Sequence, residues 1–442
     1  MSRKRQVRAQ ASSPPPNSAL RRKIFSVLAL ATTAVAAWLL WPQWLAHRHW
    51  SLGERALQER DYPAASTHFK AYSATYPGSA QAKWQLARSL RCEGKYSEAE
   101  QLLESCDWIP EVVELERMLV YVQRYGTRGE IRDVLKGLVY KRHPEERVIL
   151  EAMFEGDRHV MDFEQAAAWL NAWLEHFPED PIPRLWRAEL LQSFKHLPQA
   201  RDDYFKLLEL QPERIDILLK LGALALADSS DYAAAESFFR RVISHDPRNA
   251  EAWLGIARCA HGLGDLEQAA AAVNESLSSQ PNNGEACLLM ASIVADSGSP
   301  EESLSWLRKA EGTKVDEQKL TYQLSQVLGR LGRTEDASKY ESRFQLIKLT
   351  NEKLEAATTT LIKHPEEPHN HHAIGILYRQ LGKEDIAERW FLGALHQDRN
   401  FTPSHEALAK LYSSRSNVED QARANLHRNL ARKSHDNSNH PQ

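Results

Sequence analysis

The chain has 442 residues, a formal net charge of −3 and 26% charged residues. Setting aside the seven cations of residues 1–23 leaves 49 basic against 59 acidic residues, a balance of −10, the wrong sign for the basic stripe of a nucleic-acid binder. No phosphate loop, dinucleotide fingerprint or nucleophile elbow occurs, so the sequence is read as a non-enzyme with no cofactor and no assigned metal site, with metal handling by a histidine cluster at His364–His372 left open.

Residues 1–23 carry Arg3, Lys4, Arg5, Arg8, Arg21, Arg22 and Lys23 and no acid, with Pro14, Pro15 and Pro16 between Ser12 and Ser18. A disordered basic tail, placed in the cytosol, is expected there. Residues 24–46 follow as an expected transmembrane signal-anchor. Ile24 to Trp41 is uncharged over 18 residues, about 27 Å of helix against a hydrocarbon core of about 30 Å. Trp38, Trp41, Trp44 and Trp50 cluster at its far end, where an interfacial belt belongs. The basic flank then puts everything after the anchor on the extracytoplasmic side. Ala34-Val35-Ala36 leaves a cleaved signal peptide as the alternative, although the apolar run continues past it to Trp41.

From residue 46 the chain repeats with a period of about 34 residues. The clearest unit holds Trp253, Ile256, Ala257, Ala260, Gly264, Ala269, Val273, Ser276 and Pro281; five periods earlier stand Leu86, Ala87, Leu90, Gly94, Ala99, Leu103 and Cys106. The spacings of three and four put the apolar residues on one face of each of two helices. Glycine fits the turn between them and proline ends the second. One pair cannot bury its own apolar face, so the pairs must stack. Units begin near 46, 80, 113, 147, 181, 215, 250, 284, 318, 368 and 402.

These residues resemble the tetratricopeptide repeat family. The same slots recur in Ala188, Leu191, Ala200, Tyr204, Leu207 and Pro212, and in Ile374, Gly375, Tyr378, Gly382, Ala387, Phe391 and Ala394. The resemblance implies an all-α, right-handed α-solenoid of about 10–11 stacked pairs over residues 47–430, preceded by the anchor and followed by a polar tail at 431–442. It also implies a protein or peptide partner.

The departures are local. Residues 113–180 are degenerate, with Arg132 and Lys136 in slots for small and aromatic residues and Asp157 in place of the tyrosine. Glu335 to Lys363 contains no Gly or Pro and is expected to be one long helix. The last unit reads as a polar cap, with Arg423, Asn425, His427 and Arg428 facing outward.

In this family the groove is lined by first-helix residues that stay out of the core. Trp84, Arg88, Trp186, Arg258, Tyr322 and His372 are the candidates for it, with Leu288 among the further lining positions; Trp and Arg are favoured contact types. The family's Lys/Asn clamp for a terminal carboxylate is not matched. Arg124, Arg128, Arg132, Lys136, Lys141 and Arg142 form a basic run, read as a solvated face or a dock for an acidic partner. Cys92, Cys106, Cys259 and Cys287 sit at heights that do not favour disulfides. The segment from His364 to His372 holds four histidines and two glutamates, without the i,i+4 histidine pair of a helical zinc site. The functional expectation is a non-enzymatic, membrane-anchored scaffold for protein–protein interaction in the cell envelope, on a bacterial inner membrane. The alternative is a periplasmic chaperone or assembly factor that holds client polypeptides.

Overall fold

A computed structural model describes the backbone of residues 18–228 and 231–439; the side chains of residues 18–22, 24, 27–39, 228 and 434–439 are not described. Most of the expected basic tail and of the anchor's apolar side chains, and much of the polar tail, therefore lie outside the described residues. Among the described residues no helix is long and apolar enough to cross a membrane. They form twenty-two α-helices and no strand.

From α3 on, the first helix of each pair begins near a repeat start. α1 (Ser18–Gln58) runs without a break into the first repeat, with Pro42 inside it, and pairs with α2 (Tyr62–Thr75). Then come α3 (Ala80–Cys92), α4 (Tyr96–Glu104), α5 (Pro110–Tyr125), α6 (Gly129–Tyr140), α7 (Glu146–His159) and α8 (Phe163–His176). The regular middle contains α9 (Pro181–Ser193), α10 (Leu197–Leu210), α11 (Ile215–Asp228), α12 (Tyr232–His245), α13 (Ala250–Gly262), α14 (Leu266–Ser279), α15 (Gly284–Asp296) and α16 (Pro300–Ala310). The last six are α17 (Glu317–Arg330), α18 (Thr334–Lys363), α19 (Pro368–Gln380), α20 (Glu384–Gln397), α21 (Thr402–Ser413) and α22 (Val418–Asn439).

Local chemistry sets the helix ends. Ser79, Asn249, Asn283, Asp162, Asp231 and Asp265 each accept a hydrogen bond from an amide in the first turn of the following helix. Each such cap contributes about 1 kcal/mol. Between paired helices one residue takes a left-handed conformation: Gly94, Gly264, Gly298, Gly332 and Gly382 in five turns, but Arg60, Met161 and Lys195 in three. The three side-chain-bearing residues hold φ near 61°, at a cost of about 1–2 kcal/mol each.

Small residues set the packing distance. Phe239 of α12 is buried between α11 and α13, where a Cβ on Gly222 or Gly255 would come within 2.6 or 2.5 Å of its ring. Any larger residue at either glycine would push the helices apart.

The chain divides into two compact units, Met1–Arg124 and Tyr125–Gln442, with the division inside the degenerate stretch. In the first unit Phe69, Leu86, Leu90, Leu103 and Val120 build the core. There the buried Arg91 bonds to the buried Glu116 and, at 2.7 Å, to Gln123 Oε1, tying α3 to α5 with a matched charge. The second unit has a continuous core from Ala188 to Ile293. Within it, the early helices also touch the late ones. Met161 and Phe163 pack with Leu361, Ile374 and Trp390, some 200 residues further along. At this seam a Cβ on Gly393 would lie 2.7 Å from the Val160 carbonyl, so α20 can approach only as glycine.

Candidate protein-binding surfaces

The six candidate residues separate by environment. Trp84 and Arg88 lie on α3 in the first unit, with the Arg88 guanidinium 5.6 Å from the Trp84 ring centre. The half-buried Trp84 ring packs on that unit's core, and its indole N–H is buried without an acceptor. The other four are in the second unit. Trp186 of α9 stacks on Phe154 at 4.9 Å and meets Trp173 edge-on at 5.8 Å, so it cements α7, α8 and α9. His372 of α19 sits between Phe391 and Phe401 and bonds to Ser404 Oγ at 3.0 Å. Burial, then Arg379 and His369, lower its pKa to about 4, so the ring is neutral.

Arg258 and Tyr322 are the exposed members. Arg258 of α13 reaches Glu285 of α15 at 2.7 Å, and Glu285 also accepts the Asp316 amide at 2.8 Å. Tyr322 of α17 is 47% exposed and leans on Phe344 of α18. These two present a cation and an aromatic ring from first helices. Leu288, expected to line the groove, is instead buried against Leu304 and Leu324, because α16 and α17 close over it.

Much of the basic run is engaged within the chain. Arg124 pairs with Glu100 at 2.9 Å, and Arg142 with Glu146 at 3.3 Å. Arg128 donates to His396 Nδ1 at 2.8 Å, and Lys136 lies 5.2 Å from the centre of the Trp169 ring. Internal carboxylates, an imidazole and a π-face take up the charge. The His364–His372 segment also resolves differently from a single cluster. His371 is buried and bonds to the Met161 carbonyl, and His369 packs on Phe401. Only the exposed His364, Glu366 and Glu367 bring their ligand atoms within 4.8 Å of one another. His427 does not face outward, since its ring stacks on Tyr412 and meets His405 Nδ1 at 2.8 Å.

Three features were not foreseen. Asp157, in the tyrosine slot, is fully buried and accepts from Thr127 N, Thr127 Oγ1 and Trp169 Nε1 at 2.6–2.7 Å. The seam brings His396 within 3.1 Å of the Tyr125 carbonyl and 3.6 Å of Asp162. Burial raises the Asp162 carboxyl pKa, but bonds from His396 and the Gln165 amide outweigh it and hold the pKa below the ordinary value. Beside Asp162 an apolar cavity of about 330 Å³ opens between α8, α9 and α18. Asp157 in the tyrosine slot was the one visible signal for this region, and it carried no information about its partners.

Stacked helix pairs with exposed first-helix side chains define a scaffold for protein–protein contact. Family models described as tetratricopeptide repeat match residues 51–105 and 226–293, so the chain contains tetratricopeptide repeats, and proteins built from such repeats bind protein or peptide partners. No curated protein matches it in sequence. Among solved structures it is similar to a tetratricopeptide repeat protein from Parabacteroides merdae (18% identity, 64% of this chain and 99% of that one, TM-score 0.38). It is also similar to PilW, a type IV pilus biogenesis factor (19%, 49% and 94%, TM-score 0.38), and to MamA from Desulfovibrio magneticus (18%, 37% and 91%, TM-score 0.34).

Proposed function

We propose that the protein is a single-pass, membrane-anchored scaffold. Its basic amino terminus is cytosolic, and its repeats hold a protein partner on the extracytoplasmic side of a bacterial inner membrane. The observation that carries the reading is α1. This helix takes the uncharged run of residues 24–41 directly into the first repeat, with no linker between them. Leu40, Trp41 and Trp44 are exposed on it, a water-facing cost that a lipid interface removes. Trp41 and Trp44 lie 5.2 Å apart, and Arg48 sits 5.7 Å from the Trp44 ring, an arrangement suited to the headgroup layer. The role is binding rather than catalysis. Arg258 and Tyr322 are the residues assigned to partner contact, and Trp84 with Arg88 offers a second such pair in the first unit. A periplasmic reporter enzyme fused after residue 430 is expected to be active, and a cytosolic reporter at the same point silent. The reverse pattern overturns the orientation.

A further inference from the structure

The cavity at the seam belongs to neither the repeat groove nor the anchor. Its walls come from three remote stretches of the second unit: Met161 and Phe163 around the start of α8, Leu190 and Phe194 at the end of α9, and Leu361 and Ile362 at the end of α18. The volume, about 330 Å³, suits one aromatic ring or branched chain with room for its backbone. Ile362 at the mouth is 53% exposed, so its apolar surface has no complete cover. The floor is closed by His371, bonded to the Met161 carbonyl at 3.3 Å.

The charges on the lining have one sign. Asp162 and Glu164 are carboxylates, and no Lys or Arg lines the cavity among the described residues. Lys195, in the α9–α10 turn, is matched by Glu355 of α18 at 2.6 Å. Asp162 is engaged by His396 and the Gln165 amide, so the exposed Glu164 is the carboxylate offered at the rim, and an apolar hole beside it favours an apolar group carried next to a positive charge.

We propose that this cavity is a side-chain pocket for a partner polypeptide, taking an apolar ring or branched chain that is followed by Lys or Arg. A side chain seated there touches α8, α9 and α18 together, so its binding also holds the seam closed. The inference rests on the scaffold reading above, but it is read separately from it.

The test is fluorescence titration of the purified full chain with two dyes sharing one ring: dansylcadaverine, which carries an amine, and dansylglycine, which carries a carboxylate. Dansylcadaverine is expected to bind saturably at one site, about fivefold or more tighter than dansylglycine. Glu164→Lys should abolish that preference, and Ile362→Arg should weaken dansylcadaverine about tenfold. Acetyl-Phe-Lys-amide should displace the dye, and acetyl-Phe-Glu-amide should not. Equal binding of the two dyes, no saturable binding, or indifference to both surface substitutions overturns the proposal. Loss of dye binding with partner capture intact removes the pocket alone; loss of capture with dye binding intact removes the scaffold reading alone.

Discussion

Asp157 shows how one residue can repair a degenerate repeat. A buried carboxylate is costly unless donors surround it, and here the Thr127 amide, the Thr127 hydroxyl and the Trp169 indole do so. Burial still pushes its pKa up to about 6, with those three hydrogen bonds opposing. A carboxyl raised in the folded state favours folding most below its ordinary value of 3.8, and that contribution is lost as pH rises through about 6. At neutral pH the charged group therefore depends on its donors. Thr127→Val keeps the shape and removes the hydroxyl. It is expected to lower stability by about 1.5–3 kcal/mol at pH 7.5, and by clearly less at pH 5, where Asp157 holds its proton. Urea unfolding at the two pH values reads this directly; an equal loss at both would mean the carboxylate is not the acceptor that matters.

At the scale of the element, the terminal helix pair is held partly by a histidine contact. His405 Nδ1 and His427 Nδ1 stand 2.8 Å apart between α21 and α22, a distance at which only one of the two can carry a proton. Burial, then His405 and Arg423, lower His427 from 6.5 to about 4. A base lowered in the folded state is protonated first in the unfolded chain. Its contribution is full above about 6.5 and is lost between there and about 4 as pH falls. The amides of α22 should therefore exchange faster with solvent at pH 5 than at pH 7.5 after correction for intrinsic rates, and His427→Gln should remove most of that difference. Exchange that is unchanged by pH would show that the contact is not selective for the neutral pair. In the first unit His49 and His68 make the same Nδ1 contact at 3.1 Å, and burial followed by His49 lowers His68 too.

Helix pairing was legible because it rests on local rules. The slots of Ala257, Ala260, Gly264 and Ala269 encode close approach and a left-handed turn, and Gly264 does hold a positive φ of 82°. The turns at Met161 and Lys195 give no such signal, since a side chain there adopts the same conformation at a cost. The groove was legible only in part. Position on a first helix does not distinguish Arg258, which is exposed, from Trp186, which a neighbouring phenylalanine covers. The seam was not legible at all. Arg128 and His396 are 268 residues apart in sequence, and no repeat period relates them.

Taken as a whole molecule, the chain combines a helix that enters the first repeat directly with an array whose exposed first-helix residues await a partner. Two of these, Arg258 and Tyr322, can be changed without opening a core. Arg258 makes a surface ion pair worth about 0–1 kcal/mol, and Tyr322 is nearly half exposed. Loss of binding in the double variant would therefore report contact rather than unfolding. The measurement that bears most directly on the scaffold claim is chemical crosslinking in intact membranes, comparing wild type with Arg258→Ala plus Tyr322→Ala. The expected result is one dominant crosslinked protein that is lost in the variant while the protein stays folded and in the membrane fraction. A broad set of clients, or a partner captured equally well by the variant, would contradict a dedicated scaffold binding through these first helices.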